Sequence, residues 1–356
     1  MTNEQYGGHL TIAHPRDPST VASRTRTDSK DNMSQRWKQH VRGDSLLWLL
    51  EDDNPSVRYF ALRDLLGRPT DDPHLIGAQS SIMASRPVKE ILEAQYPEGY
   101  WVKPGRGYSP KYRATVWQLM FLADLGATSN EAIDRACRFV LEHSLVPEEG
   151  LFSATKAGTG TIACLNGNLL GSLQQLGYGD HPTVRTVSEA LARTIVEDGF
   201  NCRANSSNRA DKQTWLPCAW GAVKALRALA LIPRRQRSPV VKKALDRGAD
   251  LLLSRDLATA DYPSGSGLVS PLWFKLGFPL GYASDVLEAL DVLAQLGHGG
   301  HPSLRRAIDL VLEKQDSEGR WPLERTLTKT WTSFGKRNRP SKWVTLRAMN
   351  MLSRLP

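Results

Sequence analysis

Residues 286–302 read VLEALDVLAQLGHGGHP, and the order of residue classes in this stretch decides the fold. In its first part apolar side chains (Val286, Leu287, Leu290, Val292, Leu293, Leu296) fall on nearly every face of a helix. A helix apolar on most faces has to be buried on most faces. Gly297 then supplies the residue type at which helices terminate in a left-handed turn. His301-Pro302 opens the next helix, because proline fits a first turn whose N–H needs no helical partner. The connector recurs as LGYGDHP at 176–182, and Leu125-Gly126 ends a third apolar segment in the same way.

Outward from these connectors, two kinds of helix alternate. Segments 114–125, 162–176, 218–231 and 343–352 are apolar nearly all round, like 286–296. Segments 129–142, 183–195, 239–253 and 303–313 carry apolar residues on one side and charge on the other. An inner layer wrapped by a half-exposed outer layer meets both requirements. The pairs recur at a spacing of roughly 45 to 60 residues, the signature of a helical repeat. With 44–66 as a first hairpin there are about six pairs, enough to close a ring. The expectation is an all-α protein, an α/α toroid forming a single domain over 43–356. Residues 1–42 are polar and without a period, and read as a disordered tail.

Composition narrows the function classes. The chain has 356 residues with 40% hydrophobic and 23% charged side chains, an ordinary globular balance. No apolar run approaches the roughly 20 residues needed to cross a bilayer. The opening residues lack a secretory pattern, and four cysteines make no disulfide framework. These features point to a cytoplasmic protein with reduced thiols. The net charge of +9 suits an anionic partner: a phosphate-bearing ligand, a membrane surface touched peripherally, or nucleic acid, the last a distant third.

A second repeated element lies where an amphipathic helix hands over to its inner partner. Gln95-Tyr-Pro-Glu-Gly99-Tyr-Trp101 and Gln315-Asp-Ser-Glu-Gly319-Arg-Trp321 share the form Q-x-x-E-G-x-W, with looser copies at Glu148–Phe152 and Glu197–Phe200. This resembles the QW motif of the squalene–hopene cyclase and protein prenyltransferase superfamily, across most of residues 44–354. The small single-toroid, squalene-cyclase-like bacterial proteins are the most similar group. The resemblance implies a terpenoid-cyclase-like toroid with a central cavity that takes an isoprenoid chain, either as a prenyl diphosphate or as a polyene.

The chemistry of those relatives is only partly present. Class II cyclases use an Asp-x-Asp-Asp acid near the start of an inner helix. The comparable place here is Tyr282-Ala283-Ser284-Asp285, where Ser284 stands in the position of the proton donor. Asp285 and Glu288, three residues apart on one helix face, are the candidate acid, base or Mg²⁺ pair, with Tyr282 beside them. Prenyltransferases bind Zn²⁺ through Asp, Cys and His. In a ring, consecutive turns at one end converge, so Cys164, Cys202 and Cys218 form a candidate zinc cluster with Asp198, Asp211 or water as fourth ligand. Cys137 reads as core. Lys111, Tyr112, Arg113 and Lys342 are candidate anion contacts, with Trp117, Trp220 and Trp343 as aromatic walls. Lys329, Trp331, Phe334, Lys336, Arg337 and Arg339 extend that basic and aromatic group.

Three functional readings follow. The first is an enzyme of terpene cyclase or prenyltransferase type. The second is a toroid that holds a lipid or peptide without chemistry, which the missing acid motif favours. The third, a basic nucleic-acid-binding solenoid, rests on the helix-pair pattern of 45–66 and on net charge.

Overall fold

The computed structural model describes residues 36–196, 199–206, 208 and 210–356. Residues 1–35, most of the expected tail, lie outside them, as does Asp198. Within the described chain, Arg36–His40 form a short 3-10 turn with Trp37 buried, and Arg42 is bonded to Gln315. Packing therefore already includes residues 37–42, ahead of the expected boundary at 43.

Among the described residues, thirteen α-helices make the body. α1 (Ser45–Leu49) and α2 (Pro55–Phe60, continued by a wide turn to Leu65) form the first hairpin. α3 (Pro73–Ala84) and α4 (Arg86–Glu93) lead to α5 (Thr115–Asp124). Then come α6 (Glu131–His143) with α7 (Ala163–Leu173), and α8 (Pro182–Arg193) with α9 (Ala219–Ala230). α10 (Pro239–Leu253) pairs with α11 (Val286–Gln295), and α12 (Arg305–Glu313) with α13 (Lys342–Ser353). The inner helices α5, α7, α9, α11 and α13 pack each against the next. α2 closes the circle: it packs on α13, with Phe60 beside Trp343, and Phe60 also abuts the turn at Gly126 after α5. The result is the α/α toroid expected from the alternation, with six hairpins.

Local signals act as the sequence suggests. Gly126, Gly177 and Gly297 each adopt positive φ after an apolar helix. His181 and His301 cap the helical turns that follow, accepting from the N–H of Thr183 and Ser303. The two Q-x-x-E-G-x-W stretches make the same set of bonds. The indoles of Trp101 and Trp321 donate to the carbonyls of Ile91 and Val311, each at 2.7 Å. Their backbone N–H groups bond Thr115 and Thr345 in the first turns of α5 and α13. Gln95 donates to the Ala132 carbonyl at the start of α6, and Gln315 to the His40 carbonyl. Each staple thus joins an outer helix, its inner partner and the neighbouring hairpin.

The looser copies are short antiparallel hairpins: β1 (Leu145–Val146) with β2 (Leu151–Phe152), and β3 (Ile195–Val196) with β4 (Gly199–Ser206). β4 also pairs with β5 (Trp215–Pro217). The alternation did not signal this ribbon, nor the long connector from α10 to α11. Part of that connector, 277–281, enters the ring. Phe278 stacks on Trp343 at 4.0 Å, Asn168 of α7 bonds the Gly281 carbonyl, and Gly281 also lies against Tyr112 and Trp117.

Candidate functional site

The inserted strand divides the ring. On its far side, at the C-terminal ends of the inner helices, is a cavity of about 260 Å³ reached by side chains from all six inner helices. Phe60, Met120, Phe278, Leu280, Trp343 and Leu346 belong to its apolar part, and a network of charges fills the rest. Lys224 on α9, its side chain 1% exposed, pairs with Glu288 of α11 at 2.7 Å. Arg227, one turn on, bridges Asp124 at 2.8 Å and Glu288 at 3.6 Å. Arg354 pairs with Asp291, and Arg347 of α13 pairs with Asp285 just beneath. Burial pushes the Lys224 ammonium down from its ordinary value, against the pull of Glu288. Burial likewise pushes Asp291 up, against the nearby arginines. The central cavity expected for an isoprenoid chain is thus lined by paired charges as well as by apolar side chains.

Asp285 and Glu288, the candidate acid and metal pair, are both spent in this network. Asp285 is fully buried and caps α11 through the Glu288 N–H at 2.8 Å. It also accepts from the Gly277 N–H and from both arms of Arg347. Burial by itself raises a carboxyl, but the Arg347 charge and these hydrogen bonds outweigh it and hold Asp285 below the usual carboxylate range. This is the environment of a structural carboxylate. Ser284 is buried beside it, its hydroxyl 3.5 Å from the Trp220 carbonyl.

The N-terminal ends of the inner helices make a different surface. Tyr112 packs edge-on to Trp117 at 5.0 Å, with Tyr108 on another side of the same indole at 5.1 Å. Tyr282 lies 6.2 Å from Trp220. The exposed Lys111 ammonium sits 4.3 Å above the Tyr282 ring, and the Arg113 guanidinium stacks at 3.7 Å on Trp331. The structure therefore does bring together Lys111, Tyr112, Arg113, Trp117, Trp220 and Tyr282. It does not bring Lys342 to them. That side chain is 8% exposed and is neutralised by Glu51 and Asp53, the acidic turn after α1. Trp343 points to the ring interior, Phe334 is buried against Phe121, and Lys329, Lys336, Arg337 and Arg339 are exposed.

Next to this rim, a pocket of about 430 Å³ opens between β4, the start of α9 and the connector 262–271. Ala204, Ala219, Trp220, Tyr262 and Pro271 line it, and at its edge Leu268 and Val269 are 75% and 41% exposed. Asn205 fixes the pocket wall. Its amide donates to the carbonyls of Pro217 and Pro263, and its oxygen accepts from the Gly265 N–H. Gly265 lies so close to Ser206 that a Cβ there would meet backbone at 2.6 Å.

Cys202 and Cys218 are in the same wall, and Cys164 is near both. The ring convergence expected for the three cysteines is therefore present, but the ligand set is not. Among the described residues, no three His, Cys, Asp or Glu side chains are placed to hold one metal ion. Asp211 instead caps a short turn on the exposed side. Burial pushes the Cys164 thiol up to about 12. Cys137 is core, as expected.

Of the charged network the sequence reading singles out only Asp285 and Glu288, yet a signal for their partners is available. Lys224 and Arg227, and Asp291, interrupt segments that are otherwise apolar all round. A charge on a helix with no solvent face needs a buried partner.

Fold and site together define an α/α toroid with an ion-paired interior and an aromatic rim. No family model and no curated protein matches the chain. Among solved structures it is similar to the type II terpene cyclase MstE from Scytonema. A variant of that enzyme in complex with geranylgeranyl dihydroxybenzoate as substrate overlays with a TM-score of 0.28 at 14% identity, over 77% of this chain and 96% of that one. A variant in complex with merosterolic acid A as product gives a TM-score of 0.29 over the same shares. The apo enzyme gives 0.27, with 97% of that chain covered.

Proposed function

We propose that this protein binds an apolar ligand of the isoprenoid class at the rim pocket, without starting a cyclisation by protonation. The observation that carries the reading is the pocket itself. Its volume of about 430 Å³, its mainly apolar lining and the exposed Leu268 at its edge match the form of small-ligand sites. The repeated Q-x-x-E-G-x-W stretches support it through the resemblance they carry. Lys111 over Tyr282 supplies one cation nearby for a polar head such as a diphosphate. The ion-paired Asp285 argues against an acid-initiated reaction. Closure of the ring argues against a nucleic-acid solenoid, which needs an open concave face.

The test is titration of the full chain with farnesol and with farnesyl diphosphate, followed by tryptophan fluorescence and calorimetry. Saturable binding is expected, weakened at least tenfold in Leu268→Asp and in Trp220→Ala, with the ligand recovered unchanged after long incubation. Absence of saturable binding overturns the reading. Conversion of the diphosphate to a new product would restore the enzyme alternative.

A further inference from the structure

Three cations are buried among the described residues: Lys224, Lys342 and Arg325. The first two each meet a carboxylate at 2.7 Å, Glu288 and Glu51 respectively. Arg325, only 9% exposed, makes no ion pair among the described residues. Glu318 and Glu324, just before it, are taken by Arg320 and Lys314. The Nη2 of Arg325 donates to the Leu280 carbonyl at 2.9 Å, but its Nη1 is buried with no hydrogen-bond partner there. A guanidinium cannot shed its charge as a buried amine can, so an unpaired one calls for an anion.

Backbone fixes the place. The Arg325 N–H bonds the Leu276 carbonyl, and its own carbonyl accepts from the Phe278 N–H, both on the inserted strand or next to it. Tyr112, Leu327 and Trp117 lie against Gly281, the residue after Leu280. Burial pushes the Tyr112 hydroxyl up to about 12, against the effect of the Arg325 charge, so that O–H remains a donor beside the guanidinium. Neither 103–113 nor 325–339 contains Asp or Glu. The two stretches meet where the Trp331 indole donates to the Arg113 carbonyl at 3.0 Å. The surroundings of Arg325 thus offer donors and apolar surface, and no counter-charge.

We propose that Arg325 anchors a carboxylate-binding site beside the inserted strand, and that its ligand is an apolar monocarboxylic acid. The inference goes beyond the binding reading above: Arg325 is not in the lining of the rim pocket, and the site does not require that pocket to be filled. Charge decides the ligand class. One unpaired buried cation is neutralised by one negative charge. A phosphate group brings about two at neutral pH, which would leave a negative excess buried, and a buried unpaired charge is costly. Lys111 does not change the count, because it is exposed above the Tyr282 ring and is already served by water. Of the two carboxylate oxygens, one accepts from Arg325 Nη1–H and the other from the Tyr112 O–H. Leu327 and Trp117 beside these donors suit an alkyl or aryl body.

The experiment is calorimetric titration of the full chain at neutral pH with octanoate, octan-1-ol and inorganic phosphate. Octanoate should bind saturably, at least tenfold more tightly than octan-1-ol, which has the same body without the charge. Arg325→Gln, which keeps a donor for the Leu280 carbonyl, should weaken octanoate at least tenfold and leave octan-1-ol unchanged. Arg325→Lys, which keeps the charge, should lose less. Lys111→Gln should weaken octanoate less than threefold, as expected of an exposed cation. Where Arg325→Gln does not fold, the ratio of octanoate to octan-1-ol in the wild type and the effect of Arg325→Lys decide. No saturable octanoate binding, or equal affinity for the acid and the alcohol, would overturn the proposal. So would an equal loss of both ligands in Arg325→Gln, since Arg325 would then act through packing and not through charge. Phosphate bound more tightly than octanoate, and released by the same substitution, would overturn the assignment to a monocarboxylic acid. The farnesol titration of the rim pocket is read separately, because it uses an uncharged ligand and variants at other residues.

Discussion

Position 285 concentrates what single residues do in this molecule. Its carboxylate accepts four hydrogen bonds, two from Arg347 and one each from the N–H of Gly277 and Glu288, and none of its surface reaches solvent. A buried ion pair adds little net stability compared with an apolar pair, but removing one partner strands the other charge. Asp285→Ala should therefore cost about 3 kcal/mol or more in urea unfolding. The pH dependence follows from the depressed native carboxyl. Between the unfolded value of about 4 and the lower native value, the unfolded chain binds the extra proton. The stabilisation is therefore complete above about pH 4 and is lost as pH falls through the native value. Wild-type stability should drop on acidification below pH 4 more steeply than that of Asp285→Ala. Parallel acid limbs for the two proteins would mean that Asp285 is not held ionised.

At the scale of elements, the inner helices approach closely because small residues face one another. Gly167 of α7 lies against the backbone of α9, where a Cβ would come within 2.4 Å of the Lys224 carbonyl group. Gly221 of α9 meets Ala163, and Gly171 meets Ala228, in the same seam. Alanine favours a helix over glycine by about 1 kcal/mol, but here the obstacle is backbone, which cannot rotate away. Gly167→Ala should destabilise by about 2 kcal/mol and lower the thermal midpoint. A rise in the midpoint would show that the two helices can separate without cost. The Asn205 clamp predicts a local effect instead. Asn205→Ala removes three hydrogen bonds that tie β4 to the end of β5 and to the 262–271 connector. It should weaken farnesol binding several-fold while costing only about 1–2 kcal/mol in global stability, since that connector is the pocket wall and not the ring.

For the whole molecule, the ring is closed by side chains from its two ends. Gln315 is bonded to Arg42 and to the His40 carbonyl, Lys342 to Glu51 and Asp53, and Trp37 is buried where the first turn meets α13. Trp37→Ala should cost about 3 kcal/mol, and deletion through residue 41 should cost at least as much, as measured by urea unfolding. A truncated chain as stable as the full one would place Trp37 outside the cooperative unit. The first 35 residues contain four Lys and Arg and four Asp and Glu. The positive excess therefore belongs to residues 36–356.

The sequence by itself determined the ring. Period and polarity separated inner from outer helices, and the Leu-Gly and His-Pro signals marked their ends, because burial on all faces and backbone termination are local requirements written in residue type. Segment 239–253 is helical from end to end, and 286–296 is shortened by one residue. The two Q-x-x-E-G-x-W copies stated their geometry for the same reason: each indole returns to a carbonyl ten residues earlier in the chain. Function was less legible, since it depends on which side chains meet across the ring. Asp285 is a candidate acid or metal ligand in the sequence, which cannot name the Arg347, 62 residues later, that pairs with it. Lys342 looked like an anion contact until the ring closed on Glu51, 291 residues away. Only the tertiary structure decided that the interior is ion-paired and that the apolar pocket lies at the rim. Pairing partners and cavity walls come from distant segments, and no local pattern records which of them will converge.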